Sequence, residues 1–243
     1  MNIRQFTRAG FVVALTLGMT PLLHAATPVT EAPSWYSTLS GGVLLNPRDS
    51  DSTVRLGTAP VAFTLDGLMR FNGGQTLAVA IGRQGHTDQN DTTEEPTHWR
   101  LEAEYWHGRI ERSSFHVGVL HANLNDSVQA NALFVNALLR VYATEKSRWW
   151  LGAGLGYARV RMPSAYSPTT HTCTCLNSAD GNGLAAQVKL IGERLLSDRT
   201  ALFLQLGYLQ VPDSSTSSRT TSSSARHDQL RSGNVAVGIR FRF

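Results

Sequence analysis

The sequence predicts an all-β chain whose antiparallel strands close into an up-and-down transmembrane barrel. Three observations carry that expectation: an export-type leader, segments of roughly ten residues in which apolar and polar side chains alternate, and a last strand with an apolar face and an arginine-bearing face. Strands of that length suit a tilted crossing of a bilayer.

The leader comes first. Arg4 and Arg8 precede an apolar stretch from Phe11 to Leu23, and small residues follow at Ala25 and Ala26. That order is the pattern of a secretory signal peptide, and the apolar run is too short for a membrane-spanning helix, which needs about 20 residues. Residues 1–25 are therefore expected to be removed, leaving 26–243 as one barrel domain.

The strands follow in order: Trp35–Leu45, Gln75–Arg83, His98–His107, Asn131–Ala143, Arg148–Val160, Leu184–Leu196, Thr200–Val211 and Arg231–Phe243, with two weaker candidates at Val61–Phe71 and Ser114–Ala122. Within His98–His107, Trp99, Leu101, Ala103 and Tyr105 alternate with His98, Arg100, Glu102 and Glu104. Leu133, Val135, Ala137, Leu139 and Val141 oppose Asn136 and Arg140, while Leu184, Ala186, Val188 and Leu190 oppose Gln187, Lys189 and Glu193. A one-residue slip would carry those charges into hydrocarbon, at a cost of several kcal/mol. In the last strand, Val235, Val237, Ile239, Phe241 and Phe243 share one face, with Arg240 and Arg242 on the other. Aromatics near strand ends (Trp35, Trp99, Tyr105, Trp149, Tyr157, Tyr208, Phe241, Phe243) suit a membrane–water interface.

The connections set the orientation. Thr144–Ser147 and Ser197–Arg199 are short, as periplasmic turns are, whereas Met162–Gly183 and Pro212–Leu230 are long and polar, as extracellular loops are. The second long connection holds the run SSTSSRTTSSSAR and reads as a mobile loop.

Composition excludes several classes. No second apolar run is long enough for a helical span. Taking Arg4 and Arg8 from the 22 basic residues leaves 20 against 18 acids, a net charge of about +2, scattered without a nucleic-acid patch. The two cysteines, Cys173 and Cys175, make no disulfide framework, and a bridge across one residue would be strained.

Several strands resemble the small outer-membrane barrels of bacterial surface antigens and opacity-type proteins. The likeness lies in Ala80–Arg83, Arg100–Tyr105, Leu133–Ala137, Trp150–Arg159, Phe203–Tyr208 and Gly238–Phe243. It implies eight strands, where the weaker candidates allow ten. It also implies an outer-membrane location, a porin-like or surface-antigen role, and a monomer embedded in outer-membrane lipids whose loops meet a host or envelope ligand. The Phe241 and Phe243 ending resembles the signal read by the barrel-assembly machinery. His86–Thr97 departs from the pattern, being twelve polar residues where a tight turn is usual.

Candidate chemistry is sparse. Arg100, Glu102, Glu104, Arg140, Lys189, Glu193, Arg240 and Arg242 are expected to crowd the lumen as a charge network, with Gly152, Gly154, Gly156 and Ala158 making room. A filled lumen predicts a structural plug, and an open one a small passive pore. His86 with Asp88, His227 with Asp228, and His171 could serve a rim-located hydrolase only if nucleophile, base and orienter converge, and no catalytic residue is assigned. His171, Cys173 and Cys175 lack a fourth zinc ligand, so neither metal nor cofactor is expected.

Overall fold

The computed structural model describes residues 33–49, 52–56, 63–87, 97–117, 120–163, 165–166, 174–176, 178–212, 214–217, 224–227 and 229–243. The expected leader, Asp88, His171, Cys173 and Asp228 lie outside them.

Eight antiparallel strands form the ring: β1 (Ser34–Asp49), β2 (Phe63–Thr87), β3 (Thr97–Val117), β4 (Leu120–Ala143), β5 (Ser147–Met162), β6 (Ala179–Leu195), β7 (Thr200–Val211) and β8 (Leu230–Arg242). Each pairs with its neighbours in the chain, and β8 closes the ring on β1 through a register running from Tyr36↔Arg242 to Asp49↔Leu230. Closure leaves no ladder edge to face lipid, which is what allows strands to span a bilayer.

The strand count is eight and not ten because the two weak candidates are not separate strands. The described part of the first candidate, Phe63–Phe71, and Gln75–Arg83 fall on one strand, β2, interrupted by a bulge. The register shifts on both sides of Phe71, and Gly73 absorbs the kink at φ 119°, a conformation that a side chain disfavours. Ser114–Ala122 is the tip of the β3–β4 hairpin, where Val117 pairs with Leu120. At the ends of the polar stretch His86–Thr97, β2 and β3 pair as far as His86↔His98 and Thr87↔Thr97, and residues 88–96 lie outside the described residues.

The short turns are held by their own side chains. Thr144 Oγ1 accepts from the Ser147 amide at 3.0 Å, and Ser197 Oγ accepts from the amides of Arg199 and Thr200 at 3.3 and 3.1 Å. Both turns lie at the end of the cylinder where β1 begins and β8 ends.

At the opposite end the strands outrun the membrane. Nine to eleven residues suffice for a tilted crossing, yet β2, β3 and β4 have 25, 21 and 24. The described segments of the Ser/Thr-rich connection are paired, where a mobile loop was expected. Ser214–Ser217 pairs with Ser224–His227, that segment with Ser52–Leu56, and Ser52–Leu56 with β2, while Ser215 meets Asp180 of β6. The ring therefore closes a second time beyond the membrane. Composition alone gave this run no reason to order, but Ser52–Leu56 and β6 supply partners for the backbone of its described ends. A two-stranded ladder of Ala165–Tyr166 with Thr174–Leu176 stands apart from the ring.

Candidate functional site

Among the described residues, polar side chains from many strands converge in the interior. In the half nearer the short turns, inward positions of β3 carry Arg100, Glu102 and Glu104; β6 adds Gln187, Lys189 and Glu193; β8 adds Arg240; and all are buried. Glu193 is the hub on one side. It accepts from Arg100 Nη1 and Nη2 at 2.5 and 2.9 Å, from Arg240 Nε at 3.1 Å and from Trp150 Nε1 at 3.2 Å. The Arg100 guanidinium lies 3.6 Å from the centre of the Trp150 ring and 5.1 Å from that of Tyr36. Lys189 forms the second hub, bonded to Glu104 and 3.8 Å from Glu102. Tyr36 donates to Glu102 at 2.8 Å, and Asn136 donates to Glu104 at 3.1 Å. Gln187 joins Asn136 at 2.8 Å.

Three buried cations thus face three buried carboxylates in this layer, with the half-buried Arg148 near enough to act on Glu193 and Arg240, so the fully buried charges are matched in number. That matters because an unpaired charge in a low-dielectric interior is far more costly than a satisfied pair. A cavity of about 10 Å³ between Glu102, Glu104, Lys189 and Gln205 has room for one water molecule.

Toward the other end the lining changes character. Leu44, Trp106, Ile110, Val128, Ala130, Phe134, Val160, Leu209 and Val211 pack together inside the ring. Beyond them Arg112, buried, is held by Asp126 and by the Pro163 carbonyl at 2.8 Å. The outer face changes in the opposite sense along the same strands. On β3 the outward series runs Leu101, Ala103 and Tyr105, then His107, Arg109 and Glu111; on β5 it runs Leu151, Leu155 and Tyr157, then Arg159 and Arg161. Where hydrocarbon surrounds the cylinder, the buried charges are inside, beside a smaller apolar cluster of Leu138, Trp150, Ile191 and Phe203. Where water surrounds it, the apolar groups are inside.

Of the residues singled out from sequence, Arg100, Glu102, Glu104, Lys189, Glu193 and Arg240 meet in the ionic layer. Arg140 and Arg242 are only half-buried, nearer the short-turn rim. Gly154 stands beside Asn136 and Gln187, whereas Gly152 and Gly156 make room for Leu138 and Phe134, which are apolar partners and not charges. The His86 and His98 rings are 5.8 Å apart on adjacent strands. The described part of His227 is its backbone, in a short strand. Phe241 and Phe243 are exposed on the outer face. Sequence reasoning put Asn136 and Gln187 on the polar face without counting them in the network, and it missed Tyr36 and Trp150; the signals for these two were the doublets Trp35-Tyr36 and Trp149-Trp150, which put one ring outside and the other inside.

No protein-family model and no curated protein matches the chain. Among solved structures it is similar to the outer membrane protein OprG from Pseudomonas aeruginosa, with 12% identity, 86% of this chain and 96% of that one covered, and a TM-score of 0.54. The fold is that of an outer-membrane β-barrel. Neisserial surface protein A (NspA) also aligns with the barrel, at 13% identity and a TM-score of 0.46, over 88% of this chain and 100% of its own.

Proposed function

We propose that the protein is a non-enzymatic, non-conducting barrel of the outer membrane, exported by its leader, which presents its emergent wall and loops to host molecules or to other envelope components. The single observation that supports this reading is the double filling of the lumen. An ion would have to pass an ionic layer with room for one water molecule and then an apolar layer that offers no hydration. Either layer alone is a barrier. A buried side chain at native packing density leaves no continuous path for water.

The emergent section supports the surface role. Its outer wall is polar and built on paired strands, so its side chains sit in fixed register, which suits recognition better than a free loop does. Phe241 and Phe243 fit the role of a signal for the assembly machinery.

The experiment is planar-bilayer recording on protein that shows a heat-dependent shift in gel mobility, the usual sign of a folded barrel. The expected result is a folded sample with no channel steps. Reproducible steps from such a sample would replace this reading with that of a small passive pore.

A further inference from the structure

Immediately beyond the lipid-facing band, β3 to β6 carry a group of outward cations. On β3 His107 and Arg109 follow Tyr105; on β4 Asn131 and Gln129 follow Leu133; on β5 Arg159 and Arg161 follow Tyr157. The ladder aligns them in two rows. One is His107, Asn131, Arg159 and Asn182, and the other is Arg109, Gln129, Arg161 and Asp180. Arg109 and Arg161 are two strand spacings apart, about 10 Å between backbones, with an amide side chain between them.

The local bonds leave this group short of negative charge. Arg159 and Arg161 share a single carboxylate, Asp180, at 3.4 and 3.6 Å, and all three side chains are more than half exposed. Arg109 donates to a hydroxyl, Ser127 Oγ, at 3.0 Å. Asn131 Oδ1 takes the Tyr105 hydroxyl and lies 2.8 Å from His107 Nδ1, which fixes the amide and commits its oxygen. Three arginines against Asp180 leave a surplus of two positive charges, or one when Glu111, the next outward residue on β3, is counted. Below the cations, Tyr105, Leu133 and Tyr157 form an exposed aromatic and aliphatic floor.

We propose that Arg109, Arg159 and Arg161 form a site for the phosphorylated sugar headgroup of an outer-leaflet glycolipid, whose acyl chains lie along Tyr105, Leu133 and Tyr157. Guanidinium groups match phosphate oxygens in geometry as well as charge, and the floor is apolar where acyl chains begin. A free phosphate would use the cations alone and leave the floor idle. The proposal rests on the orientation given above, with the short turns in the periplasm.

The test uses folded full-length barrel in phosphatidylcholine vesicles with diphosphorylated lipid A, and native mass spectrometry to count retained lipid A. Wild type should hold lipid A, and R109Q/R159Q/R161Q should bind roughly a hundredfold more weakly, at about 1 kcal/mol for each arginine near a charged surface. The pair R109Q/R161Q should lose about thirtyfold, and so keeps the comparison available with fewer changes. R83Q/R194Q, which removes two exposed arginines at the opposite rim, should bind as wild type does. Unchanged binding by the triple variant, equal binding of dephosphorylated lipid A, or full competition by inorganic phosphate would each overturn the assignment. Gel shift on the same samples reads the barrel separately, so loss of the barrel is distinguishable from loss of the site.

Discussion

Glu193→Gln is the most demanding perturbation of the ionic layer. The carboxylate accepts four hydrogen bonds, two from Arg100 and one each from Arg240 and Trp150, and is itself almost fully buried. The amide keeps the shape but removes the charge, and one of its two ends becomes a donor facing guanidinium donors. Two cations, each about 3% exposed or less, then share a low-dielectric space without their carboxylate. Removing one partner of a buried pair costs about 3–5 kcal/mol, and this site sits toward the upper end because two cations lose the same anion. The assay is urea unfolding in lipid vesicles, followed by tryptophan fluorescence and by the gel shift. Adding Arg240→Gln to Glu193→Gln should relieve part of the loss, with a coupling of about 0.5–3 kcal/mol, because one stranded cation goes with it. A loss below about 1 kcal/mol for the single variant, or a double variant as unstable as the two singles combined, would refute the account of the cluster as an electrostatic unit.

Further outcomes follow from the same geometry. Gly154→Ala places a Cβ against Asn136 Oδ1, so Asn136 must swing away from Glu104 and Gln187; the expected destabilisation is about 1–3 kcal/mol by the same urea assay. Tyr36→Phe removes the 2.8 Å bond to the Glu102 carboxylate and should cost about 1.5–3 kcal/mol, without altering the gel shift of the protein that folds. Phe134→Ala in the apolar layer should cost about 3–5 kcal/mol by leaving a cavity, and bilayer recordings should stay silent because the ionic layer still seals the lumen.

Much of the strand pattern is legible in the sequence because alternation has the same period whichever face is apolar. That is also why the reversal of the interior was not. In Thr97–Val117 the apolar set shifts from odd to even positions between Tyr105 and Trp106, two adjacent aromatics of which one faces out and the other in. Leu133-Phe134 does the same on β4 and Tyr208-Leu209 on β7. A doublet of this kind marks the point where the surroundings change from lipid to water. The expectation of a charge network crowding the lumen took no account of those doublets. The ionic layer was more accessible, since Arg100, Glu102, Glu104, Lys189 and Glu193 are charges placed opposite lipid-facing residues, and only the interior could take them. Its neutral and aromatic members were hidden because Tyr36 and Trp150 sit beside rings that do face lipid.

The second closure of the ring has an immunological consequence. A binder that approaches from outside would meet a staved wall in which neighbouring contact residues, such as Arg109, Gln129 and Arg161, come from stretches of chain far apart in order. Such an epitope exists only while the staves are assembled. Antisera raised against linear peptides should miss it, and antibodies raised against the intact cylinder should fail on boiled samples.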